Sequence, residues 1–345
     1  MNAMSERPTP RPGILDIAPY VGGEARIPGV ARVIRLASNE SALGPSPRAI
    51  AAYNALAGEI FRYPDGACTE LRQALGRTHG LDPARLVCGS GSDELIGLLV
   101  RAYAGPGDEV LYSQHGFLMY PIAAKASGAT PVAAPEHNRT FDVDAILARV
   151  TPRTRLVFVA NPNNPTGTYI GRDELRRLHA GLPASVLLVI DAAYAEFVQR
   201  NDYEPGIELV DAAENVVMAR TFSKIYALGG LRLGWVYGPP SVVDVLNRVR
   251  NPFNVNAAAQ AAGIAALEDV AALDRAREHN DIWRPWLERA LAGLGLEVQP
   301  SVANFVLVRF GAPPRDASAA FAFLQSRAIL TRKVAAYGLG EWLRI

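Results

Sequence analysis

Thr221-Phe222-Ser223-Lys224-Ile225-Tyr226-Ala227-Leu228-Gly229-Gly230-Leu231-Arg232-Leu233-Gly234-Trp235 sets a lone lysine just after two small hydroxyl residues, Thr221 and Ser223. An arginine follows behind a glycine pair. Lysine amines form Schiff bases with carbonyl compounds, and a guanidinium grips phosphate through two parallel charge-assisted hydrogen bonds. The ligand that suits both groups carries an aldehyde and a phosphate. Taken alone, the stretch also reads as a basic turn between two strands with Lys224 solvated.

Pyridoxal 5'-phosphate (PLP) carries both groups, and the chain upstream offers what its ring needs. Val186-Leu187-Leu188-Val189-Ile190 is an unbroken apolar run of strand length, suited to a strand covered on both faces of a parallel sheet. Asp191 follows it, at the carboxyl end where open α/β sheets bind ligands. A carboxylate there favours a protonated pyridine, which lets the ring accept electrons. Tyr194 is within reach of the ring hydroxyl. The alternative for Asp191 is a helix cap.

Two further loops follow the same pattern. Asn161-Pro162-Asn163-Asn164-Pro165-Thr166-Gly167 comes after the apolar run Leu156-Val157-Phe158-Val159-Ala160, and its prolines and glycine force an irregular loop with the amide of Asn164 at its middle. Cys88-Gly89-Ser90-Gly91-Ser92-Asp93-Glu94 leads into the apolar-periodic run from Leu95 to Tyr103. Small residues at a helix start expose N–H groups to an anion, which makes Ser92 and Asp93 candidate phosphate donors. Glu94 stands where a dinucleotide fingerprint requires its third glycine, so a nucleotide-binding oxidoreductase is the weaker reading.

These motifs, in this order, resemble those of class I and II aminotransferases of fold type I, and among them the histidinol-phosphate aminotransferases. The resemblance extends to Pro19-Tyr20, Leu36-Ala37-Ser38-Asn39-Glu40, Leu43-Gly44-Pro45-Ser46-Pro47 and Arg62-Tyr63-Pro64-Asp65. It continues in Ala303-Asn304-Phe305-Val306, Tyr337-Gly338-Leu339 and Leu343-Arg344-Ile345, and so covers nearly the whole chain. Two departures stand out. Gln114-His115-Gly116-Phe117 replaces the family's Pro-Thr-Phe or Pro-Thr-Tyr, although Phe117 still offers an aromatic face to the cofactor ring. Relatives also continue past position 345 through another helix, so the small domain is expected to be cut short.

The resemblance implies a PLP-dependent transamination in two halves between an amino donor and a 2-oxo acid. Lys224 holds the cofactor, is displaced by the donor amine and then shuttles the proton; Asp191 keeps the pyridine protonated. Arg232, Thr221, Ser223, Ser92 and Asp93 anchor the phosphate, and Asn164 and Tyr194 meet the ring oxygen. Tyr63 matches the tyrosine that reaches a neighbouring subunit's cofactor phosphate, which implies a homodimer. Tyr20, Asn164, Arg332 and Arg344 are the donor-binding candidates. The implied reaction takes histidinol phosphate and 2-oxoglutarate to imidazole acetol phosphate and glutamate in histidine biosynthesis. Phenylalanine or tyrosine, with a carboxylate in place of the phosphate, are the alternative donors. More distant are phosphothreonine decarboxylation and a PLP sensor joined to a DNA-binding module, for which the proline-broken arm supplies no helix-turn-helix.

With 345 residues, 49% hydrophobic and 20% charged, the chain can bury a large core in two lobes. Its net charge of +1 argues against nucleic acid as a partner. Two cysteines, Cys68 and Cys88, give neither a disulfide framework nor a metal spacing, and the five histidines are scattered, so no metal is expected. Met1 to Gly13 has no signal-peptide or membrane-spanning core, which makes the cytoplasm the expected location, and Met4 is a second candidate start.

The expected fold is α/β: a large PLP-binding domain over 41–270 with a mostly parallel central sheet covered by helices, and a smaller α+β domain over 271–345. An arm over 1–40 is expected to join the small domain. Ala257 to Leu294 reads as largely helical, with Pro285 expected to kink or break it.

Overall fold

The computed structural model describes residues 8–345; Met4 and the rest of 1–7 lie outside the described residues. From the arm, β1 (Ile34–Arg35) leads into α1 (Pro47–Ala55) and α2 (Thr69–His79). Strands and helices then alternate: β2 (Leu86–Gly89), α3 (Ser92–Tyr103), β3 (Glu109–Ser113), α4 (Met119–Ser127), β4 (Thr130–Ala134), α5 (Val143–Leu147), β5 (Thr154–Ala160), α6 (Arg172–Gly181), β6 (Leu187–Asp191), α7 (Ile207–Ala212) and β7 (Val216–Thr221). Next come β8 (Gly234–Tyr237), α8 (Pro240–Val249), α9 (Ala257–Glu268) and α10 (Val270–Gly293). The chain closes with β9 (Glu297–Gln299), β10 (Leu307–Arg309), α11 (Ala317–Ser326), β11 (Ile329–Leu330), β12 (Arg332–Lys333) and β13 (Trp342–Arg344).

A seven-stranded sheet of order β2-β8-β7-β6-β5-β3-β4 forms the centre, parallel throughout except for the antiparallel β8. The apolar runs are explained by what covers it. Along β5, β6 and β7, Val157, Val159, Leu188, Ile190, Val216 and Met218 belong to one core cluster. Their neighbours Leu156, Phe158, Leu187, Val189, Val217 and Ala219 belong to the other. Side chains alternate between faces, and both faces are dry, so no polar alternation survives in the sequence. Truncating a ring such as Phe158 in this core costs about 3–5 kcal/mol.

Register brings the functional loops to one edge. Ala160 is opposite Asp191, Asp191 opposite Ala219, and Thr221 opposite Gly234, so the segments after β5, β6 and β7 leave the sheet side by side. Gly234 is small for a reason: a Cβ there would come within 2.4 Å of the Ser92 nitrogen, and its absence lets β8 press against the start of α3.

A second, four-stranded antiparallel sheet, β12-β13-β10-β9, is built from the last fifty residues or so, and β1 of the arm pairs in parallel with β11 beside it. Pro285 does not break the helix that contains it. α10 runs unbroken from Val270 to Gly293, and the interruption expected at Pro285 falls instead at Asp269, which separates α9 from α10. Asp269 accepts from the Ala272 nitrogen, a hydrogen bond typical of a helix N-cap, whereas a proline removes only one bond from a long ladder.

Candidate active site

Lys224 lies just past β7 in a loop that turns back through Gly229 and Gly230 into β8. It lines a cavity of about 270 Å³ at the carboxyl edge of the central sheet. Its Nζ donates to the Ser38 carbonyl at 3.3 Å and stands 5.6 Å from the centre of the Tyr194 ring. The loop is tied to its neighbour by a buried ion pair, Arg220 to Glu196 at 2.7 Å, which joins the strand before Lys224 to the turn after Tyr194. Breaking such a pair by removing one partner costs about 3–5 kcal/mol, because the other charge is left buried.

At one end of the cavity the chain forms an anion cradle. Gly91 caps α3 with φ +84 and offers no side-chain cap, so the first-turn N–H groups at Ser92 and Asp93 have no such partner. Arg232 reaches the same place, with Nη1 3.3 Å from Ser223 Oγ and Nη2 3.0 Å from Asp93 Oδ2. A Cβ at Gly91 would come within 2.4 Å of Arg232 Nη2, so the glycine makes room for the guanidinium. Arg232 itself has a left-handed backbone, φ 55, at a cost of about 1–2 kcal/mol for a residue with a Cβ. The hydroxyl of Thr221 donates to the Leu233 carbonyl at 3.3 Å and supports the loop rather than pointing free.

Asp191 forms the floor. Its Oδ2 accepts from Tyr120 Oη at 2.7 Å, while Oδ1 is buried with no hydrogen-bond partner. Burial pushes this carboxyl up to about 6, opposed by the Tyr120 bond. Beside it, Tyr194 Oη accepts from Asn39 Nδ2 at 2.8 Å, so the tyrosine's own proton is left to donate elsewhere. Phe117 and Tyr20 also line the cavity, ring centres 6.4 Å apart.

At the far end, Arg332 and Arg344 are direct cross-strand partners on β12 and β13. Arg344 donates to Asn164 Oδ1 at 2.5 Å and to the Ala37 carbonyl at 2.7 Å, and its Nε is buried without a partner. Burial pulls its guanidinium below the ordinary range, and Arg332 adds to that. Arg332 donates to the Val21 carbonyl and lies 5.9 Å from the Tyr20 ring.

The cavity thus gathers Tyr20, Ser92, Asp93, Phe117, Asn164, Asp191, Tyr194, Thr221, Ser223, Lys224, Arg232, Arg332 and Arg344. Tyr63 stands apart from it, 83% exposed and stacked on Phe253 at 4.7 Å. The Asp93 carboxylate is bound to Arg232, which leaves its backbone N–H as its donor to an anion. Asn39 and Tyr120 carry little signal of their own: Asn39 is one residue of Leu36-Ala37-Ser38-Asn39-Glu40, and Tyr120 follows Phe117 at helical spacing. The residues fit pyridoxal phosphate on three structural grounds: an orphaned buried oxygen on Asp191, a lysine in the same cavity, and a cradle at Gly91 that a Cβ would fill.

A family model described as aminotransferase class I and II matches residues 31–345. The histidinol-phosphate aminotransferase of Paramagnetospirillum magneticum is 64% identical over 339 residues, 98% of this chain and 93% of its own length. That of Rhodospirillum centenum is 64% identical over 338 residues, with the same coverage. A crystal structure of histidinol-phosphate aminotransferase from Sinorhizobium meliloti in complex with pyridoxal-5'-phosphate superposes with a TM-score of 0.88 at 32% identity, covering 99% of this chain and 94% of that one.

Proposed function

The chain belongs to the aminotransferase class I and II family, and from that premise we propose that it transfers the amino group of histidinol phosphate to 2-oxoglutarate, yielding imidazole acetol phosphate and glutamate. The observation that carries the choice of donor is the Arg332–Arg344 pair. Like charges directly opposite on neighbouring strands repel, and neither guanidinium forms an ion pair among the described residues. Two cations on one cavity, neither paired with a carboxylate among the described residues, suit a dianion, and a phosphate gains more from them than a carboxylate does.

Bound pyridoxal phosphate supplies the aldehyde and the electron-accepting ring. The chain's residues bind and move protons. Arg232, Ser223 and the start of α3 would hold the phosphate; Asp191 would keep a proton at the ring nitrogen; Tyr194 and Asn164 would meet the ring oxygen. Phe117 would cover the ring, and Lys224 would hold the cofactor by its aldehyde and, once displaced by the donor amine, carry the proton from the donor carbon. Tyr20 packs beside the donor.

We further infer a homodimer. Ile60, Phe61, Tyr63 and Phe253 expose a connected apolar surface that a second copy would cover, with Tyr63 reaching the neighbour's phosphate. Within the described residues, 41–270 forms the large domain and 271–345 the small one, with the arm up to 40 added to it; the β1–β11 pairing supports this division. Its place is the cytoplasm, where amino-acid biosynthesis is carried out.

The test is a survey of donors. Histidinol phosphate, phenylalanine and tyrosine are each supplied to the PLP-loaded protein with 2-oxoglutarate, and kcat/KM is compared. Histidinol phosphate is expected to lead. Preference for an aromatic amino acid by about tenfold, about 1.4 kcal/mol of discrimination, would overturn the donor assignment.

A further inference from the structure

We propose that Tyr120 is a positioning residue for the reaction: it holds Asp191, which lines the cavity, by one carboxylate oxygen and so fixes the place of the other. The proposal rests on the cofactor reading above. Tyr120 lies in α4 one turn after Phe117, with 1% of its surface exposed. Its ring is stacked on Phe158, centroids 4.4 Å apart and planes within 11°, and is met edge-on by Tyr112 and Phe117. A ring gripped on several sides has one place for its hydroxyl, and that place is 2.7 Å from Asp191 Oδ2.

Asp191 in turn is fixed by β6, between β5 and β7, with Oδ1 buried and free of any hydrogen-bond partner. With Oδ2 held, rotation of the carboxylate is blocked and Oδ1 keeps its aim. The groups that act on Asp191 are few. Asp93 raises its proton affinity by like charge, while Lys224, the Ala193 N–H and Tyr120 lower it. Burial and the neighbouring carboxylate hold the Tyr120 hydroxyl well above the ordinary tyrosine range, so it remains a donor at every working pH.

The consequence concerns one proton. A carboxylate that already accepts a hydrogen bond is a weaker base, so a proton shared between Asp191 and a ring nitrogen stays on the nitrogen. Without the Tyr120 hydroxyl it moves toward Asp191, and the ring loses the positive charge that makes it an electron acceptor. A role confined to packing would leave that charge alone.

Tyr120→Phe keeps the ring and removes the hydroxyl; Tyr112→Phe, a neighbouring ring whose hydroxyl does not touch Asp191, is the control. Each protein is loaded with PLP carrying ¹⁵N in the ring, and the nitrogen resonance is recorded beside cofactor affinity and kcat/KM. In Tyr120→Phe the resonance is expected to move toward that of an unprotonated pyridine, with kcat/KM about tenfold lower; the control should match wild type in both. A Tyr120→Phe protein that binds PLP with the wild-type resonance would overturn the proposal, whatever its activity. Failure of wild type itself to bind PLP would remove the cofactor reading, and the proposal with it.

Discussion

Arg232 and Asp93 meet at 3.0 Å where the helix α3 begins, so the cation expected to hold the phosphate also holds a carboxylate. Both side chains are nearly half exposed, and such a pair contributes little to stability on its own. Its meaning is positional: Asp93 keeps the guanidinium turned toward the Gly91 cradle.

That arrangement separates two binding contributions. Arg232→Ala should weaken PLP by about ten- to a hundredfold, because a charge-assisted contact to phosphate is lost. Pyridoxal, which lacks the phosphate, should lose almost nothing. Equilibrium titration of cofactor-stripped protein with both compounds checks this; equal losses would place Arg232 away from the phosphate.

Lys224→Ala should abolish the covalent attachment of the cofactor. Borohydride reduction of loaded wild type, followed by digestion and mass analysis, is expected to find the label on the Lys224 peptide. The variant should carry none. Label on another lysine would displace Lys224 from its role.

Much of this site was legible because its chemistry and its strand ends coincide in the sequence. Asp191 directly follows an apolar run that is covered on both faces, and Lys224 follows a hydroxyl pair before two glycines. What stayed hidden depends on long-range approach. Asn39 reaches Tyr194 across 155 positions, and its own backbone is left-handed, φ 54, a property that no local pattern announces. Tyr120 reads as an ordinary core ring until β6 is placed beside it. Pro285 was misleading for a related reason: helix propensity is local, but α10 is held by its whole length and by its packing.

Without cofactor, Asp191 should make the protein pH-sensitive in a defined direction. Its carboxyl is raised in the fold to about 6 from an ordinary 3.8, so the contribution is fully present below about pH 4 and is lost as pH rises through about 6. Asp191→Asn removes this dependence. The variant should therefore gain on wild type between pH 4 and pH 7, up to about 3 kcal/mol, in urea unfolding of the stripped proteins. A difference that is flat with pH would mean an ordinary carboxylate.

If the site is shared across a two-fold axis, Lys224→Ala and Tyr63→Ala subunits should complement each other. Each mixed dimer would hold one intact site and one doubly broken site. Random exchange of equal amounts makes half the dimers mixed, so about a quarter of wild-type activity is expected from two nearly inactive parents. No recovery after subunit exchange verified by native mass spectrometry would confine Tyr63 to its own surface.

Arg344 should discriminate between donors by their anion. It is buried, hydrogen-bonded to the neutral Asn164 amide oxygen and the Ala37 carbonyl, placed over the Phe305 ring, and opposite Arg332, with no carboxylate paired to either among the described residues. A donor anion bound there would offset that cost, and a dianion would offset more of it than a monoanion. Arg344→Ala should therefore lower kcat/KM for histidinol phosphate by at least about a hundredfold, and for phenylalanine by about tenfold less. Arg332→Ala should follow the same order with smaller losses, since Arg332 is the more exposed of the two. The check is kcat/KM for both donors, with 2-oxoglutarate fixed, in wild type and both variants. Equal losses for the two donors would reduce the arginine pair to a general anion clamp and return the choice between phosphate and carboxylate to the other walls of the cavity.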